Sequence, residues 1–293
     1  MSADNPTAQP RDYSIISPTA RYVLLLKGLT DIPYAKETAE LISLPETYDR
    51  DFSKKDFAYW ARVVHFEARY MSIDQLLSGL PVKNILELSS GFSFRGFAAV
   101  QEKDLNYIDT DLPDVVRAKK EIMALFQNKD TELKGKLEIM LLNALDEKQF
   151  TEVASQFPPG ELAIINEGLL MYLDVEEKKK LCKIIRKVLE QRGGYWITAD
   201  IYIKREQIMP VLPVDDKLRD IFEKMHIREN MFESFAEAEA FFKNEGFGID
   251  KEADPEYSKS SVLQYLLGSA TEEQLKYISK SEKINAAWRL KPI

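Results

Sequence analysis

Asn84-Ile85-Leu86-Glu87-Leu88-Ser89-Ser90-Gly91-Phe92-Ser93-Phe94-Arg95-Gly96 is the stretch on which the fold turns. A short apolar run stops at small residues, as a buried strand does where it must turn sharply, and a helix is expected from about Phe94 to Gln101. The pattern then repeats. Leu105–Asp109 reads as a strand closed by Asp111-Leu112-Pro113, and Pro113 suits the first turn of a helix running to about Gln127. Leu137–Leu142 follows, then a helix near Glu147 to Gln156. The Pro158-Pro159-Gly160 turn leads into Glu161–Asn166, a helix over Val175–Gln191 stops at Gly193-Gly194, and Tyr195–Asp200 is a fifth strand. Strands alternating with helices call for a parallel, doubly wound sheet.

The flanks differ. A helix at Ala236–Glu245 precedes Gly246–Asp250 and a last run at Ala286–Leu290, which together suit a hairpin added at the sheet edge. Thr19–Leu29 and Asp56–Leu80 carry apolar residues at spacings of three and four, with Pro33 and Pro45 as breaks between them. The expected fold is therefore α/β: a Rossmann-like, seven-stranded, mostly parallel sheet with a C-terminal antiparallel edge hairpin and an N-terminal helical cap over its carboxyl end. Residues 1–80 form the arm and cap, 81–293 the core, and 201–231, with Pro210 and Pro213, a substrate-side insertion.

Of the 293 residues, 45% are hydrophobic and 30% charged, the balance of a globular chain. No run approaches the roughly 20 apolar residues that span a bilayer, and the start lacks the basic and apolar stretches of a secretory signal. A net charge of −8 argues against broad affinity for nucleic acid. The basic clusters at Arg117–Lys120 and Lys178–Lys180 read as solvated helix faces. Two separated histidines, His65 and His226, give no zinc-ligand cluster. Cys182 is the single cysteine and is expected in a helix core, which points to a reducing, cytoplasmic compartment.

In an open parallel sheet the ligand lies outside the carboxyl ends of the central strands. Small residues at Ser89, Ser90, Gly91 and Ser93 let the backbone approach a ligand closely, and Asp109 and Asp111 end the next strand where an acid can hold ribose hydroxyls. Gly91 and Gly96 have P-loop spacing, but Phe97-Ala98 stand where Lys and a hydroxyl should be. A dinucleotide loop would place bulky Phe94 at its third glycine, a poor fit. An acid-x-Gly-x-Gly-x-Gly methyltransferase loop is filled by Glu87, Ser89, Gly91 and Ser93, with two serines for glycines.

The order of segments from about Ser17 to Phe247 resembles the leucine carboxyl methyltransferase family, which includes polyketide O-methyltransferase-like enzymes. The resemblance lies in Ser17-Pro18-Thr19-Ala20, in Arg69-Tyr70-Met71-Ser72-Ile73-Asp74 (set against Arg-x4-Asp), and in Leu88–Arg95. It continues in Asp109–Pro113 with Lys119 or Lys120 downstream, and in Asn166-Glu167-Gly168-Leu169-Leu170-Met171-Tyr172-Leu173. It implies S-adenosylmethionine as cofactor, with Arg69 on the methionine carboxylate, Gly91 at the loop and Asp111 on the ribose. Asn143-Ala144 would stand where the family brackets adenine, and Glu167 beneath the sulfonium or its amino group; Glu87, Ser89 and Asp109 complete the expected cofactor set.

Ordinary roles exist for the same residues: Arg69 as a helix-surface cation, Asp111 as a helix cap, Glu167 as a loop acid, Met171 and Tyr172 as core. The expected acceptor is a small molecule with a carboxylate or hydroxyl oxygen. A carboxylate is ionised at neutral pH and needs no base. A hydroxyl would want one, and Tyr172, His65 and Glu167 are the candidates. Tyr22, Trp60, Tyr202 and Phe222 are expected near the acceptor. The competing reading is a binding or regulatory protein on a degenerate methyltransferase fold, motivated by Ser89 and Ser93. A nicotinamide-dependent oxidoreductase is a third class.

Overall fold

The computed structural model describes residues 17–42, 55–127, 132–204, 216–280 and 282–293. The arm at 1–14, Pro45, Pro210 and Pro213 lie outside them.

Five parallel strands form the centre: β1 (Asn84–Leu88), β2 (Asn106–Asp111), β3 (Lys136–Leu141), β4 (Leu162–Asn166) and β5 (Gly194–Tyr202). Two later strands, β6 (Phe247–Glu252) and β7 (Asn285–Pro292), complete the order β3-β2-β1-β4-β5-β7-β6, with β7 antiparallel to both neighbours. The strand order reverses between β1 and β4, so the Rossmann-like sheet opens its ligand crevice beyond Leu88 and Asn166. Both central strands are buried along their whole length, as sheets covered on both faces require.

The crossovers are the expected helices, α4 (Arg95–Glu102), α5 (Pro113–Phe126), α6 (Glu147–Ala154), α7 (Val175–Arg192) and α9 (Phe235–Asn244). Pro113 occupies the first turn of α5. In α7 Asp174 and Glu177 close a reciprocal capping box, which satisfies two otherwise orphaned amides. Alternate strand residues face opposite layers. Leu86, Ile164 and Trp196 pack with α7 and α9, while Ile85, Ile165 and Ile197 pack on the other face. Cys182 is wholly buried in the first layer, as its spacing predicts.

Three features depart from the sequence reading. First, α3 (Phe57–Leu77) is not confined to the carboxyl end of the sheet. Its Ile73 and Leu76 lie in one apolar cluster with Ile85, Tyr107 and Ile165, so the helix is a structural layer of the sheet. Its Phe66, Arg69 and Tyr70 do stand over the opening, together with α1 (Ser17–Lys27) and an unexpected short helix, α2 (Ala35–Ile42). Second, β6 and β7 pair as expected, but two helices, α10 (Leu263–Ser269) and α11 (Glu272–Lys280), fill the connection. Third, the segment expected to begin at 201 still belongs to β5 through Tyr202, and its later part includes α8 (Asp216–Lys224). Met225, Ile227 and Met231 tuck beneath Met171 and Tyr172.

The basic clusters are not wholly solvated either. Lys119 and Lys178 are buried: Lys119 Nζ donates to Ser90 Oγ at 2.8 Å and lies 3.0 Å from Asp109, and Lys178 Nζ donates to Leu173 O at 2.8 Å. Each sits on the inward face of its amphipathic helix, not on the solvated one.

Candidate functional site

A cavity of about 440 Å³ opens at the reversal point. That volume falls in the ordinary range for small-molecule sites. Its floor is the loop after β1, with Asp111 and Leu112 after β2, Asn143 and Ala144 after β3, and Glu167 and Gly168 after β4. Its roof is α1, the start of α2, and Phe66, Arg69 and Tyr70 of α3.

The β1 loop is held from below. Ser90 N–H donates to Thr110 O at 2.9 Å, and Gly91 N–H donates to Asp111 Oδ2 at 2.7 Å. Gly91 has φ +55°, and Ser89 has φ +49°. Ser89 thus sits in the left-handed region, which costs a side chain roughly 1 kcal/mol or more. Ser89→Gly should therefore raise stability by about 0.5–1 kcal/mol, read as an upward shift of the urea midpoint with unchanged slope; an unchanged or lower midpoint contradicts the strain.

Asp111 lines the cavity and accepts from Gly91 N–H and, through Oδ1, from Leu112 N–H at 2.7 Å. It is not the side-chain cap of α5, because neither amide belongs to the helix's second or third position. Burial raises its pKa, with the two amides opposing. Each oxygen keeps a further lone pair for a ligand hydroxyl. Asn143 lines the wall, its Oδ1 accepting Leu145 N–H at 3.0 Å, and Ala144 sits beside it.

Glu87 and Asp109 do not reach the cavity. They are cross-strand partners in the β1–β2 register, on the face covered by α4 and α5, one layer below the loop. Tyr107 Oη donates to Glu87 at 2.6 Å, and burial together with Asp109 pushes the Glu87 pKa up to about 7. Asp109 is the buried ion partner of Lys119. Asp111 lies two positions beyond Asp109, one pleat further on the same face, and only the outer acid emerges.

At the other end, Glu167 is the centre of a charged cluster. Lys27 Nζ donates to its Oε1 at 2.6 Å and Arg95 Nη2 to its Oε2 at 3.2 Å. Burial alone would raise its pKa, but Lys27, Arg69 and Arg95 outweigh that and pull it down to about 2, so the carboxylate is ionised. Burial lowers the Lys27 pKa, with Glu167 opposing. Arg95 is fixed from behind by Tyr70 O and by the Asp74 carboxylate, so the Arg-x4-Asp spacing of α3 serves two jobs: Arg69 faces the cavity and Asp74 holds Arg95. Arg69 is buried, not a surface cation. Its Nη2 donates to Asp200 at 2.9 Å, and its Nε has no hydrogen-bond partner among the described residues. Burial works against its charge, yet Tyr202, Asp200 and Glu167 hold it protonated.

The two candidate bases are unsuited to the task. His65 does not line the cavity; it is buried beside Arg69, 2.7 Å from Tyr202 Oη, and burial and Arg69 drive its pKa down to about 3. Tyr172 does line the wall, but its hydroxyl donates to Thr19 Oγ1 at 2.9 Å and burial pushes its pKa up to about 12. Of the aromatics expected near an acceptor, Tyr22 and Phe222 line the cavity. Trp60 instead stacks on Tyr265 in an apolar cluster shared by α1, α3 and α10, and Tyr202 lies behind Arg69.

Sequence reasoning gave no role to Lys27, Arg95, Lys119 or Asp200, although Arg95 and Lys119 stand in the stretches that carry the resemblance. Asp200 carried a signal, since an acid ending a central strand stands where Asp111 does. Lys27, at the end of an apolar helix, carried none.

No family model matches the chain, and no curated protein matches it. Solved structures of low similarity do. One is the S-adenosylmethionine-dependent methyltransferase SibL in its apo form, at 12% identity and TM-score 0.45, covering 80% of this chain and 58% of that one. Others are magnesium protoporphyrin IX methyltransferase from Synechocystis PCC 6803 with bound SAM (10% identity, TM-score 0.47, 83% and 89% covered) and the mitomycin 7-O-methyltransferase MmcR (10%, 0.45, 94% and 68%). This chain spans little more than half the length of SibL.

Proposed function

We propose that the cavity binds S-adenosylmethionine and that the chain methylates an oxygen of a small, largely apolar molecule. The observation that carries this is the gathering of two cations and an acid, Lys27, Arg69 and Glu167, in one cavity with Asp111 and the β1 loop. A zwitterionic amino-acid group needs such a mixed set: guanidinium and ammonium for its carboxylate, a carboxylate for its ammonium. The Nε of Arg69 is buried and has no hydrogen-bond partner among the described residues, a costly state for a donor that a shift of the guanidinium toward a bound carboxylate would relieve. Asp111 retains lone pairs for a diol, and Asn143 and Ala144 wall the third side.

When bound, the cofactor supplies a methyl group on a sulfonium, an electrophile with a good leaving group. The protein's share is to hold the acceptor oxygen in place and exclude water. Val23, Ile32, Phe66 and Phe222 offer the apolar wall for that. Because His65 and Tyr172 are poor bases at neutral pH and Glu167 is engaged by Lys27 and Arg95, the acceptor best suited is one already anionic, a carboxylate before a neutral hydroxyl.

Among the described residues no helix is long and apolar enough to cross a membrane. A free, buried Cys182 suits a reducing compartment, and we place the protein in the cytoplasm.

Calorimetry with S-adenosylhomocysteine tests the cofactor. Binding to the wild type and at least about tenfold weaker binding to Arg69→Ala are expected, since a lost charged hydrogen bond is worth about 1.5–3 kcal/mol. No heat with the wild type, or undiminished affinity in the variant, overturns the assignment. The strained Ser89 keeps a second reading alive, a cofactor-binding protein without turnover. Binding without methyl transfer to any of a panel of carboxylates and phenols favours it.

A further inference from the structure

We propose that Asp200 is a positioning residue that orients Arg69 and the turn carrying Glu167, and so sets recognition of the amino-acid end of the cofactor. This rests on the S-adenosylmethionine reading.

Asp200 lies two residues before the end of β5, does not line the cavity, and its carboxylate is fully buried. Its Oδ1 accepts Arg69 Nη2 at 2.9 Å and Gly168 N–H at 2.7 Å. Its Oδ2 accepts Leu169 N–H at 2.7 Å, Leu170 N–H at 3.1 Å and Asn166 Nδ2 at 2.7 Å. Five donors fill the roughly four lone-pair sites of a carboxylate. No capacity is left for a ligand, so any effect on binding passes through the groups that Asp200 holds.

Those groups are the two signs of charge in the cavity wall. Three successive amides, 168 to 170, converge on one carboxylate, which shapes the turn immediately after Glu167. Gly168 has φ +90°, and a Cβ there would stand 3.5 Å from Arg69 Nη2, so the guanidinium crosses close over this turn. Among the described residues Arg69 has no second ion pair: its guanidinium carbon lies 5.5 Å from the ring centroids of Phe66 and of Tyr202. One buried acid thus fixes a cation and an anion relative to each other before any ligand arrives. Preorganisation of this kind acts by reducing the ordering cost of binding.

The test compares two ligands by calorimetry: S-adenosylhomocysteine, and 5′-methylthioadenosine, which keeps the adenosine and sulfur and lacks the amino-acid group. Asp200→Asn should weaken S-adenosylhomocysteine about tenfold or more while changing 5′-methylthioadenosine less than about twofold. A general loosening of the fold would weaken both ligands by the same factor, and that result, or no change in either, overturns the proposal. If Asp200→Asn does not fold, Arg69→Met must show the same selective loss; equal weakening of both ligands there also overturns it. A wild type that binds neither ligand defeats the cofactor reading itself, whereas failure of Asp200 alone leaves wild-type binding intact.

Discussion

Glu167→Ala is expected to cost the fold about 3–5 kcal/mol, the usual penalty for removing one partner of a buried charge set. Lys27 and Arg95 donate directly to this carboxylate, and both are buried, as is nearby Arg69. Without it, three cations face one another in a site with little water to separate them. The stability difference between wild type and variant should depend on pH in one direction. Glu167 is held down at about 2 against an ordinary 4.5, so its contribution is complete above pH 4.5 and is lost as pH falls toward 2. The gap between the two urea curves should therefore narrow on acidification through that window. His65 also weakens the fold below pH 6.5, because the unfolded imidazole takes a proton that the buried one refuses until about pH 3. Glu167 itself favours the charged form of His65, so that loss is shared, and drops out of the comparison, only above about pH 3. A gap below about 1 kcal/mol at pH 7, or one that widens in acid, contradicts the charge arrangement described.

Lys119→Met should be comparably damaging, again about 3–5 kcal/mol. Lys119 and Asp109 are both fully buried and 3.0 Å apart, and Glu87 lies beside Asp109 across the strand pair. Removing the ammonium leaves two acids facing each other under the β1 loop and takes the donor from Ser90 Oγ. The double variant Lys119→Met with Asp109→Leu should regain most of the loss, because an apolar pair avoids the desolvation that the ion pair must overcome. Guanidinium unfolding of the three proteins reads the cycle. If the double variant is as unstable as the single one, the damage comes from packing and not from an unpaired charge.

The fold was legible because strand and helix periods switch cleanly from Asn84 to Asp200, with turn residues at each switch. The hairpin was legible as a pairing but not in its connection, since α10 and α11 add little to a pattern already polar and short. Asp111 and Glu167 could be singled out because they stand at strand ends that open on the crevice, and Arg69, in the middle of a helix, only through the Arg-x4-Asp resemblance. Glu87 and Asp109 could not be told from them: one pleat decides whether an acid at a strand end emerges or stays under the next layer. Lys119 and Lys178 were misread for a related reason. A helix face containing lysine is normally wet, and only the tertiary neighbours, Asp109 for one and the Leu173 carbonyl for the other, make burial tolerable.

The order of the sheet has a consequence for how the molecule is made. β6 has a single strand neighbour, β7, and β7 follows every other strand in the chain. On the ribosome β6 emerges with nothing to pair to. Trp288 of β7 also closes the apolar layer that contains Phe242 and Trp196. The parallel half of the sheet can assemble as it is translated. The far edge must wait, with its aromatic side chains uncovered, until Asn285–Pro292 slides between two strands already present.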